Sequence, residues 1–385
     1  MRLPKSPLAA LAARGRRHEL AIRIMLVLAA ALLLAGALLW LRRPRLVQFE
    51  YLVFGTRARI PLLARNDDDV AAAQQDIGRL FVYDHRTWHP WEPSELTRLN
   101  DALAHGRAYR VPADVADMIR RAQAGFAQSD GLFNAAAGRL IGLWGFHTNR
   151  YPVQTLAPSA EQIRGVLAAQ TDMSDIHVSM DGTISASNSA ASLDLNGLAE
   201  GYAAAQVQQL LTRHDIHHAL IYIGGFVLAM GRHGQRPWRV GVGAPSGVLG
   251  HVELGDGEAL SSSGDYQRHR ASSPDLGHIV DVRTGWPQRT SAAASVISDD
   301  PVFADIAATA LMVAGPDGFA RLAERMHLDC ALLLGHDGAL YITPGMLQRL
   351  RTGTAPPIMH TIPRPTSSCR HADGRRRDVV LPTGF

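Results

Sequence analysis

Apolar and polar positions alternate with a period of two from Leu46 to Ile60, the signature of a half-buried strand. From Asp67 to Tyr83 the spacing becomes helical, with Ala71, Ala72 and Ile77 on one side. Asp84 to Pro93 predicts a loop, because its two prolines lack a donor and clash inside regular elements. Helical spacing returns over Val111 to Ala127 and over Gly201 to His214, where Leu210 and Leu211 form the apolar stripe. Ala191 to Leu195 reads as a strand ending in a glycine-containing turn that opens a helix at Leu198. His218 to Met230 predicts a buried strand, and Trp238 to Val242 alternates as another. His251 to Ser261 holds one more, and Asp305 to Leu322 is helical. This succession predicts an α/β (α+β) fold, mixed sheets flanked by helices, without an internal repeat.

The ends differ from the middle. Ile24 to Leu41 is an uncharged apolar run of roughly 18 residues, against the about 20 that a bilayer span takes. Arg2, Lys5, Arg14, Arg16, Arg17 and Arg23 precede it, while Arg42, Arg43 and Arg45 follow. The heavier positive end predicts a single-pass anchor with that end in the cytoplasm and the body on the outer side of the membrane. A cleaved signal peptide is the rival, but Ala35-Gly-Ala37 falls inside the apolar run. Residues 1–45 thus read as basic segment plus anchor, 46–345 as the folded body, and 346–385 as a Pro/Arg-rich disordered tail.

Charge follows the same division. The formal net charge is +4, yet the basic surplus sits at the two ends, and residues 46–345 carry 23 basic and 32 acidic side chains. A nucleic-acid partner is therefore not expected. An acidic body that binds polyphosphate needs a cation to offset repulsion.

Candidate chemistry centres on two segments. Asp305-Ile-Ala-Ala-Thr309 places a carboxylate and a hydroxyl four residues apart, on one helical face, a donor pair suited to Mg²⁺ or Ca²⁺. Ser192-Leu-Asp-Leu-Asn-Gly-Leu-Ala-Glu-Gly-Tyr202 ends in a glycine turn where backbone can approach an anion. A phosphate-bearing ligand with a divalent cation is the leading idea. Elsewhere the signals are weaker. His85 and His89 have a metal-like spacing but no glutamate between them, and His214, His217 and His218 precede a strand. Cys330 sits in an apolar run and reads as core, and Cys369 lies in the polar tail as a candidate free thiol. No nucleophile elbow and no P-loop are present.

In chain order the motifs read Phe54-Gly-Thr56, Ser94-Glu-Leu-Thr-Arg-Leu-Asn100, Gly131-Leu-Phe-Asn134 and Leu143-Trp-Gly-Phe146. There follow Asp194 to Tyr202, Ile223-Gly-Gly225, Ser261-Ser-Ser-Gly-Asp-Tyr266, His278-Ile-Val-Asp-Val-Arg-Thr-Gly285, Ser295-Val-Ile297 and Asp305 to Thr309. Together, over about residues 50–340, they resemble the ApbE-type family of FAD:protein FMN transferases. The resemblance implies that family's fold and a Mg²⁺-dependent transfer of FMN from FAD to a threonine or serine hydroxyl of an acceptor flavoprotein in a membrane redox complex, with release of AMP. It assigns Asp305, Thr309 and a backbone oxygen near Gly197 to the metal, and His278 to general-base or phosphate duty. It assigns Phe54, Leu132, Phe133, Asn134, Asp194, Glu200 and Ile279 to FAD, with an aromatic from the Trp88 to Trp91 loop, Trp88 foremost, stacking nearby. Arg283 and Thr284 are expected to hold their loop. A purely capping role is the plain alternative for Asp194.

Three positions depart from the family pattern. Phe54 stands where methionine is usual, Val282 replaces a proline, and Phe226 follows Gly224-Gly225 where an acidic or amide residue is common. The last motivates an alternative, a non-catalytic membrane-tethered FAD-binding protein that helps assemble a respiratory reductase. A further alternative is an FAD pyrophosphatase, with water replacing the hydroxyl.

Overall fold

Nine strands lie side by side in the order in which the chain delivers them: Arg45–Val53, Thr56–Ala64, Ala219–Ile223, Phe226–Met230, Ala259–Gly264, Ser291–Ser298, Cys330–Gly335, Leu340–Ile342 and Met359–Thr361. Neighbours run antiparallel except the last pair, which is parallel. The computed structural model describes residues 23–34, 43–169, 171–353 and 358–362.

Ser291–Ser298 explains the layering. It is buried along nearly its whole length, so both faces need a cover. Ala294 and Val296 face the larger core, which includes helix Pro301–Arg325, and the small alanine side chains let that helix lie close. Ile297 faces the other side, where the hairpin of Trp238–Ala244 and Gly247–Leu254 contributes Trp238, Val240 and Val252. A third cluster of Leu140, Trp144, Phe146, Val153, Ile163 and Leu276 supports the loops beyond the sheet. The fold is thus α/β, a mixed sheet with helices.

Several elements differ from expectation. The strand expected over 46–60 is a hairpin that turns at Phe54 (φ 52°) and Gly55 (φ 70°). The strand expected over 218–230 likewise turns at Gly224-Gly225. Helix Asp67–Trp88 runs five residues into the expected loop, because Pro90 constrains only its predecessor, His89, which is extended. Helix Glu95–Ala104, capped reciprocally by Ser94 and Thr97, was not expected. Ala191 to Leu195 makes only one bridge, Ser192 to Ala137, and the next helix already begins at Asn196. Helix Pro301–Arg325 is longer than predicted. Asp300 caps it by accepting from the amides of Val302 (3.0 Å) and Phe303 (3.1 Å), and Gly315 (φ 67°) with Pro316 breaks it.

The folded body also continues past residue 345. Helix Pro344–Arg349 is buried over Pro344 to Met346, and strand Met359–Thr361 extends the sheet. The expected tail beyond 362 lies outside the described residues, as does Cys369. Cys330 is buried and disulfide-bonded. Of the expected membrane span, Arg23–Leu34 forms an apolar helix with exposed side chains, and residues 35–41 lie outside the described residues.

Candidate active site

Two helices far apart in sequence meet at Gly201. A Cβ there would stand 2.4 Å from the Pro301 carbonyl oxygen and 3.2 Å from Asp305 Cβ, so glycine is what permits the approach. The Gly201 amide, which a regular helix directs at the Gly197 carbonyl, donates to Asp305 Oδ2 (3.0 Å). The Ser261 hydroxyl donates to Asp305 Oδ1 (3.1 Å). Glu200, the residue before Gly201, accepts the Gly225 amide on Oε2 (3.1 Å). One helical turn beyond Asp305, the Thr309 hydroxyl lies 3.4 Å from that of Ser263.

The electrostatics follow from this closeness. Burial, then the neighbouring Glu200 charge, pushes the Asp305 carboxyl well above the usual carboxylate range. Burial raises Glu200 as well, while Arg268 pulls the other way. Two acids that resist ionising together, ringed by hydroxyls, form an oxygen-only donor set. A hard divalent cation fits it, because its charge would offset the repulsion and the desolvation at once.

Glu200, Gly225, Ser263, Asp305 and Thr309 line one cleft of about 260 Å³. Leu132, Phe133, Asn134, Asp194, Gly197, His278 and Ile279 line it too. Phe133 packs against Gly197, where a Cβ would come within 2.9 Å of its ring. Asn134 holds its own turn, its Oδ1 accepting the Ala136 amide at 2.9 Å. Asp194 Oδ1 accepts the Asn196 amide (2.9 Å) where the helix begins, and Oδ2 meets His147 Nε2 (3.1 Å). His278 is half-buried, with its amide donating to the Arg268 carbonyl (2.9 Å). Its Nδ1 is buried without a hydrogen-bond partner. Burial, then the Arg268 charge, holds the imidazole at about 3, so the ring is neutral at physiological pH. Arg283 pairs with Asp281 (2.8 Å) and steadies its loop.

Two expected residues stand elsewhere. Trp88 is buried in the helix core, its Nε1 donating to Asp114 Oδ2 (2.9 Å). Phe54 stacks on Trp88 with ring centroids 5.8 Å apart, so the ring serves the core, while its neighbours Gly55 and Thr56 line the cleft. The reason is the helix extension, which carries Trp88 inward and leaves Trp91 as the loop aromatic at the cleft. Trp91 in turn stacks on His147 at 5.3 Å. His147 carries no sequence signal of its own, since it acts through Asp194 and Trp91, remote along the chain, and Arg268 gains its place at the cleft only from the fold. Phe226 is fully buried in the core.

The helix extension also brings His85, His89 and Glu92 together. His89 Nδ1 accepts the Glu92 amide (2.9 Å), so the neutral ring carries its proton on Nε2, the atom facing Glu92. That nitrogen is a donor here and has no lone pair to offer a metal.

The sequence profile of the ApbE family matches residues 54–333. An FAD:protein FMN transferase of Rhodobacter capsulatus is 36% identical over 340 residues, covering 87% of this chain. The chain spans 64% of that relative's length. A protein of the same name from Escherichia coli K12 is 30% identical, over 60% of this chain and 68% of its own. Among solved structures, the ApbE protein of Thermotoga maritima aligns with a TM-score of 0.72 at 26% identity, over 80% of this chain and 100% of its own. The apo flavinyl transferase ApbE of Pseudomonas stutzeri aligns at 0.67 and 27% identity, over 77% and 93%.

Proposed function

The chain belongs to the ApbE family, and from that premise we propose that it is an FAD:protein FMN transferase acting on an acceptor flavoprotein. The observation that carries this reading is the convergence of Glu200, Asp305, Thr309 and His278 on one cleft, from segments far apart in sequence.

The residues suggest a division of labour. Asp305, Thr309 and the backbone oxygen of Gly197 would hold Mg²⁺, which supplies neutralisation of charge on the FAD diphosphate. The acceptor's threonine or serine oxygen forms a bond to the FMN phosphorus, the bond from that phosphorus to the bridging oxygen breaks, and AMP leaves with that oxygen. The hydroxyl proton passes to the neutral His278 imidazole, whose low affinity for protons rises when an anionic phosphate sits beside it. Leu132, Phe133 and Ile279 offer apolar walls for an isoalloxazine. Residues 24–41 anchor the protein in the cytoplasmic membrane, with the body facing the periplasm, where the acceptor of a redox complex would be met.

Phe226, the departure that favours a non-catalytic reading, is a core residue, so it withdraws no polar group from the cleft. The test is direct. Full-length protein with FAD, Mg²⁺ and a fragment of a flavinylated reductase should release AMP and leave a fluorescent acceptor band. FAD binding with neither product would return the chain to an accessory role. AMP release without acceptor would put water in place of the hydroxyl. Asp305→Ala should lower Mg²⁺-dependent AMP release by at least about 100-fold while the far-UV spectrum stays unchanged. Wild-type turnover in that variant would remove Asp305 from the site.

A further inference from the structure

Arg268 is the one cationic side chain lining the cleft among the described residues, against three carboxylates, Asp194, Glu200 and Asp305. It is half-buried, and its guanidinium makes no hydrogen bond or ion pair among the described residues. Five N–H donors are therefore held at the cleft without a protein acceptor among the described residues. Arg270, two positions on, shows the contrast. It is fully buried, and its guanidinium donates to the backbone carbonyls of Trp144 and Thr155. The register shifts between His269 and Arg270, which breaks the strand alternation and lets the two arginines take different directions.

The position of Arg268 is as telling as its lack of a partner. Its charge acts on Glu200, on His278 and on Tyr151, which come from three separate segments. It therefore lines the cleft within electrostatic reach of both Glu200 and His278. Its main chain is fixed there, because its carbonyl accepts the His278 amide (2.9 Å). A planar guanidinium matches two oxygens of a phosphate at once, which an ammonium does only as a point charge.

We propose that Arg268 is a substrate-recognising residue that grips a phosphate of the incoming dinucleotide, on the His278 side of the cleft and apart from the Asp305–Thr309 oxygens. The proposal rests on the flavin transferase reading and assigns this chain a second, protein-borne positive charge for the diphosphate. Its charge offsets part of the acidic lining that would otherwise repel a dianion. It also orients the phosphorus toward the imidazole, because the residue that donates to the phosphate carries the carbonyl that holds His278 in place.

Two flavins separate this role from a structural one. FAD carries the diphosphate, and riboflavin carries the same ring with no phosphate. Each is titrated into the full-length protein, with Mg²⁺ present, by the change in flavin fluorescence. Arg268→Ala should weaken FAD binding by about 10- to 100-fold, the scale of a lost charge-assisted hydrogen bond, and leave riboflavin binding within about twofold. Arg268→Lys should recover part of the loss by charge alone. Unchanged FAD affinity in Arg268→Ala, with wild type binding FAD, overturns the proposal and leaves the transferase reading standing. Equal losses for both flavins also overturn it, because they indicate a damaged cleft. Failure of the wild-type protein to bind FAD overturns both together.

Discussion

Asp84 lies buried in helix Asp67–Trp88 with both carboxyl oxygens lacking a hydrogen-bond partner. Burial, then the charge of Asp114, pushes its pKa up to about 8 from 3.8. The folded chain therefore keeps a proton that the unfolded chain releases above 3.8, so stability falls as pH rises through that window. The loss attributable to this group by pH 7 is as much as about 4 kcal/mol. Asp84→Asn, neutral at every pH, should be more stable than wild type at pH 8 and differ little near pH 4. Urea unfolding at both values decides this, and a parallel decline in the two proteins would refute it. Other residues show what a linear motif can and cannot convey. Asp305, Thr309, Glu200 and His278 are legible because each sits in a short motif whose local geometry carries into the fold. Trp91 and His147 gain meaning only from partners that the fold brings to them, and Arg268 only from the cleft it is brought to, while Trp88 loses its expected place to the helix extension.

At the scale of elements, the crossing at Gly201 is the most exposed to test. Gly201→Ala puts a methyl into the Pro301 carbonyl, which backbone cannot evade cheaply. It should cost about 1–3 kcal/mol of unfolding free energy. The proposed Mg²⁺-dependent AMP release should also fall, since Glu200 and Asp305 are set by that contact. Gly165 is the control, a helical glycine with open space around it. Gly165→Ala should gain about 0.5–1 kcal/mol with activity unchanged. A Gly201→Ala protein as stable and active as wild type would show that the helices separate freely. Element boundaries are less legible than element types, for reasons visible at single turns. In the first hairpin the inward positions shift from odd to even, Phe49 and Val53 before the turn and Ala58, Ile60 and Leu62 after it. That phase slip is present in the sequence, but a short window hides it. The last turn of helix Asp67–Trp88 is missed because a proline restricts the residue just before it and nothing further upstream.

For the whole molecule, the anchor proposal predicts where the protein sits. Full-length chain should stay with membranes through alkaline carbonate extraction, and a chain beginning at residue 43 should partition to the soluble fraction. Release of the full-length protein by carbonate would contradict an integral anchor. The extent of the body is mostly legible, since its motifs run through the region that the family profile matches. The end of the body is not. Helix Pro344–Arg349 is short, and Arg349 looks like part of a basic tail until its guanidinium is seen paired with Glu258 (2.6 Å) beneath the surface. The chain-order sheet has one more consequence. Thr56–Ala64 and Ala219–Ile223 are neighbours, so everything in 65–218 departs from the ladder and returns beside its point of departure. That detour carries Phe133, His147, Asp194 and Glu200, whereas Asp305 and Thr309 ride on the helix that braces the central strand. Half of the cleft can thus be recast, loop by loop, to suit a different ligand while the scaffold that holds the acid pair's other member is left alone.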